Sequence, residues 1–272
     1  MRGALLLTAL LVFALPTWAS GERDFRLREH ELALQDLTGA DVDAEIAFGR
    51  DIAARILGRV PRYDDLAANR YVTLVGRALA LQGNRPELDY HFAILDDDSI
   101  NAYSAPGGYV FVTRGALRAM ADEAELAAVL AHEIAHVNRR HIVRQARVRA
   151  RDDSGLGGLA RLLGGSGDSA RVAFAQAVDK AMDLLFVQGY NQRDELEADA
   201  DATLMLAAAG YDPTALRRFL ARIGESKARV GKTHPPSQAR LAALDELIRA
   251  QGLDQLHYPT VAQRFRVHVG RR

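Results

Sequence analysis

The stretch Ala131-His132-Glu133-Ile134-Ala135-His136 decides how the rest of the chain is interpreted. Residues four apart on an α-helix lie one turn apart on the same face, so the imidazoles of His132 and His136 can reach one metal ion. Glu133 follows the first histidine directly and can act as a base beside that ion. This is the HExxH pattern of zinc-dependent peptidases. The alternative, a helix that carries two histidines by chance, is tested by the surrounding sequence.

Composition narrows the kind of protein and the kind of metal site. The 272 residues, of which 49% are hydrophobic, can form one large globular domain or two modest ones. Lysine and arginine number 35, as do aspartate and glutamate, so no overall charge favours nucleic acid as a partner. The chain has no cysteine, which leaves histidine and carboxylate as the expected metal ligands.

The N-terminus is typical of a secretory signal peptide. Arg2 supplies the positive end, residues 4–15 form an apolar core too short to span a bilayer, and Ala19 offers a small residue for cleavage. We therefore expect residues 1–19 to be a signal peptide and the protein to be periplasmic, with at most peripheral membrane contact. An uncleaved membrane anchor is the alternative. The absence of cysteine excludes a lipid-modified cysteine at the cleavage site.

Two runs before the HExxH stretch are typical of β-strands. Residues 88–95 alternate in character, and Tyr109-Val110-Phe111-Val112-Thr113 is β-branched and aromatic. We expect the second run to be an edge strand whose free backbone groups hold an extended substrate. An ordinary core strand is the alternative. The expected substrate-binding residues are Gly108, Tyr109, Val110, Phe111 and Val112.

Two segments after the HExxH stretch are expected to lie at the surface. Residues 154–169 are rich in glycine and predict a flexible loop, either a lid over a cleft or a disordered surface loop. The arginines between residues 139 and 151 predict a solvated face rather than a nucleic-acid site. By helix geometry, His141 is expected to point away from the metal-facing side and to be structural.

A cluster of acidic residues follows in Arg193-Asp194-Glu195-Leu196-Glu197-Ala198-Asp199. Glu195 and Asp199 are four residues apart on one helix face. One of the two carboxylates can complete a site of two histidines and one carboxylate, and the other can accept a hydrogen bond from a ligand imidazole. Glu197 points about 160° away from Glu195, so both cannot face the metal. A solvated helix face is the alternative.

These motifs, with Asn101-Ala102, Pro106-Gly107-Gly108 and Thr233-His234-Pro235-Pro236, resemble the zinc metallopeptidase family that contains the CAAX prenyl protease and the heat-shock protease HtpX. The resemblance extends from about Asp41 to Leu247 and is strongest to soluble periplasmic members of that family. It implies one Zn²⁺ per chain, bound by His132, His136 and Glu195.

The resemblance also implies roles for residues around the metal. Glu133 is the expected general base, and Asp199 is expected to support a ligand imidazole. His234 is expected either to stabilise the oxyanion or to approach the metal and keep the site latent, and Arg240 to support it. A surface histidine that caps a helix is the alternative for His234.

The expected fold is mainly α with a small β-sheet, an α+β fold of the gluzincin type, in which the HExxH helix packs beside a sheet whose edge strand binds substrate. Residues 20–253 are expected to form the metallopeptidase domain. Residues 254–272 are expected to form a short C-terminal tail, and no helical-repeat domain is expected. In this tail, Phe265, Val267 and Val269 alternate and could add a strand or contact a membrane.

The expected function is that of a zinc-dependent endopeptidase that hydrolyses unfolded or misassembled envelope proteins, outer-membrane proteins among them, in periplasmic quality control. The alternative is a latent or non-cleaving, metal-bound chaperone or adaptor for outer-membrane proteins. Nucleic acid is not an expected partner.

Overall fold

The computed structural model describes residues 39–146, 167–224, 234–235 and 237–269. The expected signal peptide, most of the expected lid at 154–169, Thr233 and Pro236 lie outside these ranges. Before the HExxH stretch, two helices, three strands and a short helix follow one another: α1 Gly39–Arg59, α2 Leu66–Ala80, β1 His91–Leu95, β2 Ala102–Ala105, β3 Tyr109–Thr113 and α3 Arg114–Ala119. From that stretch onward the described α-helices are α4 Glu123–Asn138, α5 His141–Gln145, α6 Asp168–Asp183, α7 Gln192–Ala208, α8 Ala215–Gly224, α9 Gln238–Ala250 and α10 Ala262–Val269.

The three strands form one sheet in the order β1-β3-β2. Strand β3 pairs in parallel with β1 and antiparallel with β2, so its backbone is hydrogen-bonded on both sides. The prediction that Tyr109–Thr113 is an edge strand is therefore wrong. The edge nearest the HExxH stretch belongs to β2, a strand of four residues without any β-branched side chain, which is why its pattern is weak in the sequence.

Strand β3 is largely apolar because both faces of the sheet are covered. Val110 and Val112 belong to an apolar cluster that includes side chains of α2 and α4. Phe111, between them, belongs to a second cluster with side chains of α1 and α6. Alternate residues of a strand point to opposite faces, so a strand buried on both sides is hydrophobic at nearly every position.

Helix α4 carries the HExxH stretch through the centre of the fold. It begins at Asp122, whose side chain accepts a hydrogen bond from the backbone of Glu125, and all 16 of its residues are buried. Its alanines let α7 and the sheet approach closely, while Leu126, Leu130 and Ile134 are fully buried. Burial of each of these three side chains contributes about 1.5–3 kcal/mol. The helix is thus held on all sides, as a rigid metal site requires.

The C-terminal segment packs back onto this core. Residues Ala262–Val269 form helix α10, which lies against α2 and α4, so the alternation of apolar residues there does not produce a strand. Phe265 is buried, and Arg264 binds the carboxylate of Glu123 in the first turn of α4. Within the described ranges, none of the helices combines the length and apolar character that crossing a bilayer requires.

Candidate active site

Two helices and one loop position four side chains around a common point. Helix α4 presents His132 and His136, the start of α7 presents Glu195, and His234 lies shortly before Ser237, the N-cap of α9. The Nε2 atoms of the first two histidines are 3.0 Å apart, and Glu195 Oε1 lies 3.5 Å from His136 Nε2. His234 Nδ1 lies 2.8 Å from that oxygen and 3.3 Å from His132 Nε2.

This group of donors fits a divalent metal ion. Its four ligand atoms all lie within 4.8 Å of one another. Tetrahedral zinc, with bonds of about 2.0–2.1 Å, places neighbouring donor atoms about 3.3 Å apart. The four separations above range from 2.8 to 3.5 Å. Imidazole and carboxylate without thiolate are ligands that suit zinc and other first-row divalent metals. The residues present therefore suit a four-coordinate ion, with His234 in the fourth position.

Asp199 and Arg240 fix the positions of two of the donor residues, His132 and Glu195. Asp199 Oδ1 lies 3.0 Å from Nδ1 of His132, and Arg240 binds both oxygens of Asp199, at 2.6 and 2.8 Å. Arg240 Nη1 also lies 2.8 Å from Oε2 of Glu195. Burial lowers the pKa of His132, but the carboxylates of Asp199 and Glu195 outweigh burial and raise this pKa to about 9. Without a metal ion, these carboxylates therefore favour a proton on His132.

Glu133 and Tyr190 lie on either side of the donor group. Glu133 is buried, and its Oε1 lies 3.4 Å from Nε2 of His234. Tyr190 stacks on His136 with ring centroids 3.9 Å apart. Burial and the nearby carboxylates raise the pKa of Tyr190 well above its usual value, so its hydroxyl keeps its proton. The sequence reasoning missed Tyr190, because a single aromatic residue just before the N-cap Asn191 of α7 forms no recognisable pattern.

His141 lies beside the metal ligands, contrary to the sequence expectation. Its Nδ1 is 2.7 Å from Nδ1 of His136, and it is fully buried. The expected position was wrong because it extended the α4 helix to residue 141. Arg140 instead adopts a left-handed conformation, with φ of 55°, and turns the chain back. Glu197 lies 3.3 Å from Nε2 of His141 and on the far side of that ring from the four donors.

The expected substrate-binding residues Gly108 to Val112 lie at the centre of the sheet, so their backbone is not available to an added strand. The cavity beside the metal centre instead meets Asn101 and Ala102 at the start of β2. Apart from these two residues and the polar groups His132, Glu133, His234 and Arg240, its walls are apolar. The apolar lining residues are Ile100, Ala116, Val129, Leu216, Phe219, Leu220 and Ile223.

Comparison with known proteins places this arrangement in a family. The family model described as "Peptidase family M48" matches residues 66–248, which include all four donor residues, Glu133 and Arg240. A β-barrel assembly-enhancing protease of Yersinia pestis is 29% identical over 259 residues, which cover 88% of this chain and 51% of the relative.

Two further relatives show the same partial coverage. A putative β-barrel assembly-enhancing protease of Vibrio cholerae is 30% identical over 76% of this chain and 45% of its own length. The mitochondrial metalloendopeptidase OMA1 of Schizosaccharomyces pombe is 28% identical over 65% of this chain and 52% of its own. The chain spans about half the length of these curated relatives. The resemblance inferred from the motifs and the expected α+β fold are confirmed, and the chain belongs to the metallopeptidases of family M48.

Proposed function

We propose that the chain is a zinc-dependent endopeptidase that cleaves unfolded or misassembled envelope proteins in the periplasm. The observation that carries the proposal is the convergence of His132, His136 and Glu195 within bonding distance of a common ion, with Glu133 buried on the same helix. The signal-like N-terminus supports export. The names of the relatives from Yersinia and Vibrio support outer-membrane β-barrel proteins as substrates.

Each residue then has a defined part in hydrolysis. Zinc, when bound, acts as a Lewis acid toward the peptide carbonyl and toward water. Glu133 takes a proton from the attacking water and passes it to the leaving amine nitrogen. We propose that His234, after turning away from the donor group, and Tyr190 donate hydrogen bonds to the developing oxyanion. Arg240 and Asp199 keep the ligands in place throughout.

The substrate is proposed to bind along β2 rather than β3. The backbone N–H of Thr113 donates to the carbonyl of Asn101, which shows that Asn101 faces β3. Backbone groups alternate in direction along an antiparallel strand, so those of Ala102 and Ser104 point away from β3. An extended chain that pairs with Ala102 would pass the apolar walls of the cavity, which could contact an apolar side chain of the substrate.

The deciding experiment replaces Glu133 by Gln and measures cleavage of a chemically unfolded protein, together with bound zinc. We expect zinc and thermal stability to be retained and cleavage to fall by about 10²–10⁴-fold. Glu246→Gln is the matched control, because Glu246 is exposed and its ion pair with Arg249 lies on the surface of α9. Cleavage that persists in Glu133→Gln, or that survives a chelator, would contradict the proposal.

A latent or non-cleaving metal protein is the second candidate, and the position of His234 favours it. Its Nδ1 lies 2.8 Å from Glu195 and 3.3 Å from His132, where a substrate or water would otherwise bind. The His234→Ala variant separates the candidates: faster cleavage than wild type indicates a site that is closed at rest, and slower cleavage indicates a catalytic His234. If wild type and His234→Ala both bind unfolded protein without cleaving it, the protein is a chaperone.

A further inference from the structure

The two ligand histidines of α4 have different hydrogen-bond partners on the side that faces away from the metal. Nδ1 of His132 meets a carboxylate, Asp199 Oδ1, at 3.0 Å. Nδ1 of His136 meets another imidazole, Nδ1 of His141, at 2.7 Å. A metal-binding imidazole needs such a partner, since the partner fixes which nitrogen carries the proton and how the ring is oriented. Nothing else described so far supplies this partner for His136.

The hydrogen positions follow from the direction of each ring. His136 presents Nε2 to the metal, so its Nδ1 carries the hydrogen and donates. Nδ1 of His141 must then accept, which places the hydrogen of His141 on its Nε2. That atom lies 3.3 Å from Glu197 Oε2 and 3.7 Å from Asp194 Oδ1. The result is a hydrogen-bond chain from His136 through His141 to Glu197, with the charge of Asp194 close to the same nitrogen.

The two carboxylates are themselves held in place. Asp194 accepts from the side chain of Asn191 at 3.0 Å, and Glu197 accepts from Arg193 at 2.8 Å. Arg144 reaches both carboxylates, with Nη2 3.1 Å from Asp194 and Nη1 3.4 Å from Glu197. Its guanidinium group therefore supplies the positive charge that a second metal ion would bring to this cluster. The cluster serves as a fixed acceptor and not as a second metal site.

We propose that His141 is a positioning residue for the metal centre: it accepts a hydrogen bond from His136, fixes the orientation of that ring and so strengthens metal binding. Asp194 and Glu197 orient His141 in turn. The inference rests on the proposed binding of zinc by His136. It explains why a histidine outside the HExxH helix is completely buried beside it. The left-handed turn at Arg140 is what brings His141 into reach.

The test measures the zinc dissociation constant by competition with a chromophoric chelator, so no proteolytic activity is needed. His141→Leu removes the acceptor and is expected to weaken zinc binding by about 10–100-fold. His141→Asn keeps an oxygen near the position of Nδ1 and is expected to retain most of the affinity. Ile142→Ala is the matched control, because it removes a neighbouring buried side chain of α5 that takes no part in the hydrogen-bond chain.

Several outcomes would overturn the inference. One is zinc affinity in His141→Leu equal to that of Ile142→Ala, and another is His141→Asn binding zinc as weakly as His141→Leu. If His141→Leu does not fold, imidazole nitrogen NMR of the wild-type zinc form decides: a hydrogen on Nε2 of His141 supports the inference, and a hydrogen on Nδ1 overturns it. Wild-type protein that binds no zinc would refute the proposed function as well, whereas wild-type binding that is unaffected in His141→Leu refutes only the inference.

Discussion

Replacing Arg240 by Ala should destabilise the metal-free protein far more than replacing a solvent-exposed arginine does. Arg240 is almost completely buried and binds both oxygens of Asp199 and one oxygen of Glu195. Its removal leaves two buried carboxylates without their guanidinium partner. Breaking a buried ion pair in this way costs about 3–5 kcal/mol.

The chain contains a matched control for this prediction. Arg217 on α8 also binds an aspartate, Asp245, with two hydrogen bonds of 2.8 and 3.1 Å, but both side chains are about 40% exposed. Solvent screens such a pair, and its loss costs at most about 1 kcal/mol. In a domain of this size, 1 kcal/mol corresponds to about 2–4 °C in melting temperature. Arg240→Ala should therefore lower the melting temperature by about 6–20 °C, and Arg217→Ala by at most about 4 °C.

Thermal unfolding is measured with a chelator present, so that loss of zinc does not contribute to the difference. Arg240→Lys is a useful third variant, because it keeps the charge but cannot form the paired hydrogen bonds to Asp199. The melting temperature of Arg240→Lys should lie between those of wild type and Arg240→Ala. Equal melting temperatures for Arg240→Ala and Arg217→Ala would refute the view that Arg240 holds the ligands through a buried charge network.

Three further predictions concern the metal, pH and the fold. Zinc held at 1,000 times its dissociation constant should stabilise the protein by about 4 kcal/mol over the chelated form, and Glu195→Gln should reduce this difference in melting temperature. Burial raises the pKa of Glu123, but hydrogen bonds from Arg264 and two tyrosines outweigh burial and lower this pKa. The charged Glu123 carboxylate therefore stabilises the folded protein fully above the unfolded pKa of about 4.3, and this stabilisation is lost as pH falls through the folded pKa. Urea unfolding from pH 6 to pH 2.5 should accordingly show a smaller acid-induced loss of stability in Glu123→Gln than in wild type. Gly49→Ala should lower the free energy of unfolding by at least about 3 kcal/mol or prevent folding, because an added Cβ would lie 1.6 Å from the backbone oxygen of Pro106. Unchanged expression and an unchanged melting temperature would contradict this prediction.

The features that were predictable from sequence are those set by spacing within one element. His132 and His136 lie one turn apart on α4, and Glu195 and Asp199 lie one turn apart on α7. Helix geometry alone therefore brings each pair to one face. The meeting of the two helices does not follow from geometry, since it depends on packing between distant segments. The resemblance to a known family supplied that part.

The errors arose where long-range pairing or a local break in the backbone decides the structure. The order β1-β3-β2 depends on which strands meet in space, and β2 has no β-branched residue to mark it. The position of His141 depends on one left-handed residue, Arg140, which does not interrupt the sequence pattern in any visible way. Asparagine and aspartate are the non-glycine residues that most favour this conformation, so an arginine gives no warning of it.

The same contacts indicate which part of the site can open. Glu195 would keep Arg240 and both α4 histidines as partners if His234 moved away. His132 and His136 would keep Asp199 and His141, and both lie on a helix that is buried along its whole length. The side-chain hydrogen bonds and ion pairs described for His234, in contrast, all involve members of the centre itself: His132, Glu133 and Glu195. Among the contacts between residues that the structure describes, displacing His234 therefore disturbs the fewest, and of the four donors we expect it to be the one that an incoming substrate replaces at the lowest cost in free energy.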